Sequence, residues 1–285
     1  MQKVIVILGQ TATGKSALAV KIAKKINGEI ISADSRQVYK GLDIGTGKIS
    51  KKEMHGVPHH LIDVANPKHK FSVTEYQKLT NSAISEIVNK QKIPIICGGT
   101  GFYIDAITKG VVFPEVPPNN KLRKILSTKS EAELFKVLKK MDSSRAKSID
   151  KNNKVRLIRA IEIAKALGKV PKIIEVKPKY KFIKIGLYLP EDLLKKKVER
   201  RVKKMFKMGL LNEIKKLKKN GVSDKRLKEF GFEYNEPTPK KVILETIKYA
   251  KRQMTWFKRD KSIKWLDADP KNNLNNIIPL IKYVS

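Results

Sequence analysis

One segment, Gly9-Gln10-Thr11-Ala12-Thr13-Gly14-Lys15-Ser16, constrains the fold of this chain more than any other. It fits the pattern G-x-x-x-x-G-K-[S/T], and its flanks are those the pattern requires. Before it, Val4-Ile5-Val6-Ile7-Leu8 is an unbroken β-branched run of the kind buried on both faces of a parallel sheet. Behind it, Leu18, Ile22 and Ile26 recur at four-residue spacing with Ala19 and Ala23 alongside, and Asn27-Gly28 offers a left-handed stop. Glu29-Ile30-Ile31-Ser32-Ala33 reads as a second strand that ends at Asp34. Such a βαβ unit sets a glycine-rich loop at a helix N-terminus. There, backbone N–H groups can wrap a diphosphate, Lys15 can neutralise its terminal oxygens and the Ser16 hydroxyl can ligate Mg²⁺.

The alternation recurs. Ser72-Val73-Thr74-Glu75 has the form of a capping box, and Tyr76, Leu79, Ala83 and Ile87 continue on one predicted helical face. Ile93-Pro94-Ile95-Ile96-Cys97 then begins a buried strand that runs into Gly98-Gly99-Thr100-Gly101. The class is therefore α/β, a P-loop-type, mainly parallel sheet flanked by helices. After Gly110 the stiff connector Phe113-Pro114-Glu115-Val116-Pro117-Pro118 leads into a Lys-rich helical stretch, read as an inserted helical subdomain. The expected division is residues 1–113 for the first part of the core, 114–179 for the insertion, and 180–285 for the rest of the core with its C-terminal helices. Residues 182–189 return as a strand, and residues 191–219 predict a long basic helix broken at Gly209. A last major helix follows Pro239, with Val242, Thr246, Ala250, Met254 and Phe257 near one face.

Charge bears on the partner. The 285 residues carry 62 Lys+Arg against 27 Asp+Glu, a formal net charge of +35. With 41% hydrophobic residues the chain is not a disordered basic tail, and the charge implies either a polyanionic partner or a lysine-rich background. No apolar run approaches the roughly 20 residues needed to cross a bilayer, and the first residues lead into a strand without a signal-peptide pattern. Cys97 is the single cysteine, which excludes an intrachain disulfide and a four-cysteine zinc site. A cytoplasmic protein without membrane contact is the expectation.

Several side chains stand where chemistry is possible. Asp34, at the carboxyl end of the second strand, can cap the turn that follows, hold Mg²⁺ or take a proton from a nucleophile. Gly98-Gly99-Thr100 is either a structural turn or a second close backbone approach with a hydroxyl aimed at the same crevice. Arg156 and Arg159, at i and i+3, either clamp phosphate oxygens or are simply solvated. His55, His59 and His60 are separated by Gly56 and Pro58, without an acidic cluster in the sequence, so packing and hydrogen bonding are preferred to a metal site. Cys97 reads as a small buried hydrophobe. From these residues a P-loop enzyme follows but its acceptor does not, and a nucleotide-binding, ATP-binding kinase of a small metabolite or nucleotide would share loop, fold and Mg²⁺.

A finer discriminator lies in longer blocks: Ser32-Ala33-Asp34-Ser35-Arg36-Gln37-Val38-Tyr39-Lys40-Gly41-Leu42-Asp43-Ile44-Gly45-Thr46-Gly47-Lys48, Val57-Pro58-His59-His60-Leu61-Ile62-Asp63, Gly98-Gly99-Thr100-Gly101-Phe102-Tyr103, Arg156-Leu157-Ile158-Arg159-Ala160-Ile161-Glu162, and Lys251-Arg252-Gln253-Met254-Thr255-Trp256-Phe257. Together with the phosphate loop, and over nearly the whole chain, they resemble the tRNA dimethylallyltransferase (tRNA isopentenyltransferase) family. The resemblance implies transfer of a dimethylallyl group from dimethylallyl diphosphate to N6 of adenosine 37 in tRNAs that read codons beginning with U. It implies that residues 9–16, Lys15, Ser16 and Mg²⁺ hold the diphosphate, that Thr100 hydrogen-bonds near the bridging oxygen, and that Asp34 is the base. Asp34, Ser35, Arg36 and Gln37 would meet the extruded adenine and its neighbours. Arg123, residues 155–159 with Arg156 and Arg159, residues 228–233 with Lys228, and residues 251–258 with Arg252 would line the RNA-facing surface. The insertion would grip the anticodon stem, and the enzyme is expected to act as a monomer. Cysteine is too scarce for the zinc finger that some eukaryotic relatives append, and the chain stops soon after its last helix, so the bacterial form is the nearer match. One block departs from the family pattern. Where an Arg and then a Gly-Tyr-Lys/Arg turn are usual, this chain has Lys228-Glu229-Phe230-Gly231-Phe232-Glu233. Besides a kinase, a nucleotide-gated RNA-binding protein without chemistry is the alternative.

Overall fold

The computed structural model describes residues 1–268 together with 277 and 279. It divides into two units, Met1–Gly110 with Lys177–Ser285, and Val111–Val176. In the first, β1 (Lys3–Gly9), α1 (Lys15–Ile26), β2 (Gly28–Ala33), α2 (Lys51–Met54), β3 (His59–His60), α3 (Val73–Asn89), β4 (Ile93–Gly98) and α4 (Gly101–Thr108) follow one another. The second holds β5 (Val111–Val112), α5 (Asn120–Ser127), α6 (Glu131–Met141), α7 (Ser143–Ser148), α8 (Lys154–Leu167) and β6 (Ile174–Glu175). The chain then returns to the first unit with β7 (Lys181–Tyr188), α9 (Glu191–Lys207), α10 (Leu210–Lys219), α11 (Asp224–Phe230), α12 (Pro239–Phe257) and β8 (Lys264–Asp267).

The sheet runs β3-β2-β4-β1-β7-β8, and every neighbouring pair is parallel. Because side chains alternate along a strand, each face builds its own core. Ile5, Ile7, Ile30, Ile95, Ile185 and Leu187 pack with Leu18, Ala19 and Ile22 of α1, Leu194, Val198 and Val202 of α9 and Val242 of α12. On the other face Val4, Val6, Leu8, Ile31 and Ile96 pack with Tyr76, Ile84 and Ile87 of α3 and Tyr103, Ile104 and Ile107 of α4. This two-sided burial is why the strands read as continuous apolar runs. No helix among the described residues is long and apolar enough to cross a membrane.

Local signals act as their chemistry requires. Asn27 ends α1 at φ 51°, the Ser72–Glu75 capping box is formed at α3, and Gly209, at φ 97°, separates α9 from α10. Three expectations need correction. Leu79 is 39% exposed, and Thr80 and Ile84 take the inner positions of α3, because the buried stripe follows Tyr76 at i+4, i+7 and i+8. In α12 the polar Gln253 rather than Met254 is fully buried. The strands β3, β5, β6 and β8 were not expected, since two- to four-residue segments carry too little periodicity to read.

The second unit has its own core of Leu126, Leu134, Leu138, Ala146, Leu157, Ala160 and Ile161. It begins at Val111 and ends at Val176, against the expected 114 and 179. The ribbon pairing Val111 with Glu175 and Val112 with Ile174 draws both boundaries toward the N-terminus.

Candidate active site

The carboxyl ends of β1, β2 and β4 surround a cavity of about 390 Å³. Of the phosphate loop, Thr11, Ala12, Gly14, Lys15 and Ser16 line it. Gly9, Gln10 and Thr13 lie outside the lining, and two of them act as fixings. Gln10 Oε1 accepts from Leu189 N–H at 3.2 Å, and its carbonyl accepts from Thr13 Oγ1 at 2.8 Å and from Lys15 Nζ. Ser16 is exposed on the wall.

Two residues of this wall differ from the expectation: Arg201 is not among the sequence candidates, and Gln253, within the 251–258 stretch expected to face RNA, is buried here. Gln253, buried on α12, accepts from Thr11 N–H at 2.8 Å and donates to the Gly99 carbonyl at 2.9 Å, tying the two glycine-rich turns together. A Cβ on Gly99 would stand 2.3 Å from Gln253 Nε2, so only glycine permits the bridge. Arg201 reaches in from α9, donating to Thr11 Oγ1 at 3.3 Å and to the Thr46 carbonyl at 3.0 Å. Its signal was present: 194, 198, 201, 202 and 205 form one helical stripe, and Arg201 is the cation in a row otherwise filled by Leu, Val and Met.

Burial lowers the pKa of Arg201, and it lowers that of Lys15 to about 8. In each case the nearby carboxylate of Asp34 opposes the shift without cancelling it. Two desolvated cations thus line one cavity, a setting in which an anionic ligand would restore the compensation their charged forms lack.

Across from them Asp34 lines the cavity. Its Oδ1 accepts from Arg36 N–H at 2.9 Å and Gln37 N–H at 3.3 Å, while Oδ2 carries no hydrogen bond among the described residues. Turn-capping through Oδ1 and an Oδ2 without a hydrogen bond among the described residues thus coexist in one carboxylate that lines the cavity. Gln37 also lines the wall and donates to the carbonyls of Thr46 and Gly47 at 3.4 and 3.5 Å. Thr100 Oγ1 accepts from Ser35 N–H at 3.0 Å and lies outside the cavity lining, joining the ends of β2 and β4. Arg36 points away from solvent to Glu233. Cys97 lines the floor, and burial pushes its thiol up to about 12, so it is a neutral wall group. His60 Nε2 bonds Glu29 and His59 Nδ1 bonds the Val57 carbonyl. Among the described residues no cluster of three or more His, Cys, Asp or Glu could hold a metal.

The remaining candidates lie elsewhere. In the second unit Arg123 and Arg159 both bind the buried Glu162, at 2.8–2.9 Å and 2.5 Å, and Arg159 also donates to the Val116 carbonyl at 2.8 Å. Burial would raise the Glu162 pKa, but hydrogen bonds from Arg123, the Asn119 N–H and Arg159 hold it below the usual carboxylate range. Arg156 is exposed on the same helix, and in the first unit Lys228 and Arg252 are exposed, Arg252 lying 5.8 Å from the Tyr249 ring centroid.

Fold and site define a P-loop-type α/β protein with two cations and a carboxylate lining one cavity at the carboxyl ends of a parallel sheet. A family model described as IPP transferase matches residues 37–260, and the chain belongs to this family. It is 39% identical to the tRNA dimethylallyltransferase of Anoxybacillus flavithermus, over 93% of this chain and 90% of that one. With the tRNA dimethylallyltransferase of Bacillus subtilis the identity is 38%, over 94% and 92%. Among solved structures, the tRNA isopentenylpyrophosphate transferase of Bacillus halodurans superimposes with a TM-score of 0.73 at 34% identity, covering 100% of this chain and 96% of that one. A eukaryotic dimethylallyltransferase acting on tRNA gives a TM-score of 0.85 at 27% identity, covering 99% and 79%.

Proposed function

We infer that this chain is a tRNA dimethylallyltransferase, moving the dimethylallyl group of dimethylallyl diphosphate to N6 of adenosine 37 in tRNAs that read UNN codons. The products are N6-isopentenyladenosine and diphosphate. The observation that carries the reading is the single cavity lined by the desolvated cations Lys15 and Arg201 and by the carboxylate of Asp34.

The chemistry asks for both sides of that cavity. As the C1–O bond of the donor breaks, its electron pair leaves with the diphosphate, and Lys15 and Arg201 stabilise the charge that grows there. The adenine amino group is a weak nucleophile because its lone pair is delocalised into the ring. Forming the N6–C1 bond requires loss of an N6 proton, which passes to Asp34 Oδ2. The adenine reaches this carboxylate only when unstacked from the anticodon loop.

Mg²⁺ suits the wall as well. The ion prefers one or two protein oxygens together with substrate phosphates, and the exposed Ser16 hydroxyl is a hard oxygen donor beside Lys15. Bound there, it would offset charge on the leaving diphosphate.

Incubation with unmodified tRNA, Mg²⁺ and labelled dimethylallyl diphosphate, followed by digestion to nucleosides and mass spectrometry, tests the assignment. An adenosine heavier by the five-carbon unit is the expected product. ATP consumption without RNA and no use of the prenyl donor would establish a kinase instead; salt-sensitive RNA binding with adenosine unchanged would leave a binding protein.

A further inference from the structure

Glu233 is a buried carboxylate at the end of the 228–233 segment. It is only 8% exposed, and its Oε2 accepts from Arg36 Nη1 at 2.5 Å. The same guanidinium lies 5.6 Å from the Phe232 ring centroid and 5.4 Å from that of Tyr249. Its main chain is fixed too, through the Arg36 N–H to Asp34 Oδ1. The charge of Arg36 is thus already met by a buried carboxylate, which makes it a poor ligand for an RNA phosphate. What the arrangement does fix is the turn at residues 34–37, from both its backbone and its side chain.

We propose that Glu233 is a positioning residue for prenyl transfer: by clamping Arg36 it sets the turn at residues 34–37 and aims the open oxygen of Asp34. The inference rests on Asp34 being the base of the reaction inferred above. A carboxylate pinned at Oδ1 has little freedom provided the turn that pins it is itself held, and the clamp from a segment 197 residues away holds it. Reacting groups tolerate little misplacement, with about 1 Å able to cost roughly a hundredfold in rate.

Glu233→Gln keeps the shape and removes the charge that retains Arg36. The expected result is a kcat for adenosine prenylation reduced roughly tenfold to a hundredfold, with KM for donor and tRNA each within about twofold of wild type. In an Asp34→Asn background the same substitution has no further effect in single-turnover assays, because no base remains to be aimed. A loss that falls on KM for tRNA, or a full Glu233→Gln penalty persisting beside Asp34→Asn, overturns the proposal. Should Glu233→Gln lower the melting temperature, Glu233→Asp, which keeps the charge and shortens the reach by one methylene, is read by the same two criteria. Wild-type protein that prenylates no adenosine would overturn the functional reading itself. Wild-type turnover beside an unimpaired Glu233→Gln overturns only the clamp.

Discussion

Lys15 and Asp34 are neighbours with opposite assignments, and their substitution and titration should separate those assignments cleanly. A lysine whose pKa in the free cavity is about 8 carries its proton below that pH and loses it above. The diphosphate binds the protonated form, so KM for dimethylallyl diphosphate should be flat up to about pH 8 and then rise toward tenfold per pH unit. Steady-state assays from pH 7 to 9.5 at saturating tRNA read this directly; a KM that stays flat throughout would show that the cavity does not lower the Lys15 pKa, and an unchanged donor KM in Lys15→Ala would remove Lys15 from donor binding. Asp34→Asn keeps the acceptor that pins Arg36 and Gln37 and removes the base. It should retain tRNA affinity while transfer slows by about 10² to 10⁴, and undiminished turnover would take Asp34 out of the chemistry. Arg201→Ala should weaken the donor instead, raising its KM with little change in that for tRNA.

At the scale of elements, what could be read from the sequence was what lies close together along the chain. The phosphate loop is eight consecutive residues between a strand and a helix, so motif and local geometry coincide. Asp34 ends its own strand, and the Ser72–Glu75 box caps its own helix. The roles of Arg201, Gln253 and Glu233 at the site were not legible because each meets it across more than 150 residues, through helix packing that no local pattern encodes. A trace remained in two of them, as polar residues at apolar-stripe positions of α9 and α12. Gln253→Leu tests how much that packing matters. It strands the Thr11 N–H and the Gly99 carbonyl, at about 1–3 kcal/mol for a buried group left without its partner. The expected outcome is a lower urea midpoint with unchanged slope, together with a raised KM for the donor because Thr11 no longer holds its place on the cavity wall. A variant as stable as wild type would show that water replaces the amide at little cost.

For the whole molecule the charge of +35 is too large to be an RNA footprint alone. Some of the cations expected to face RNA are internally paired: Arg36 on Glu233, and Arg123 and Arg159 on Glu162. Neutralising six to ten phosphates loses about 10³ to 10⁵ in affinity between 50 and 200 mM salt, at a slope near 0.7 to 0.9 per phosphate. A tRNA interface of that size would lose affinity by about a thousandfold or more over that range, with a slope far below one per cation of the chain. Exposed and paired arginines should then behave differently. Arg156→Ala, on the solvated side of α8, should lower the salt slope by about one and leave stability unchanged. Arg159→Ala removes one partner of the buried Glu162 while Arg123 and the Asn119 N–H remain, and should destabilise the second unit by about 1–3 kcal/mol while leaving the slope alone. Filter binding across a salt series, paired with thermal melts of both variants, separates the two. If Arg159→Ala shifted the slope and Arg156→Ala did not, the pairing around Glu162 would have to open when RNA binds, and α8 would present its RNA-facing cation from the opposite position.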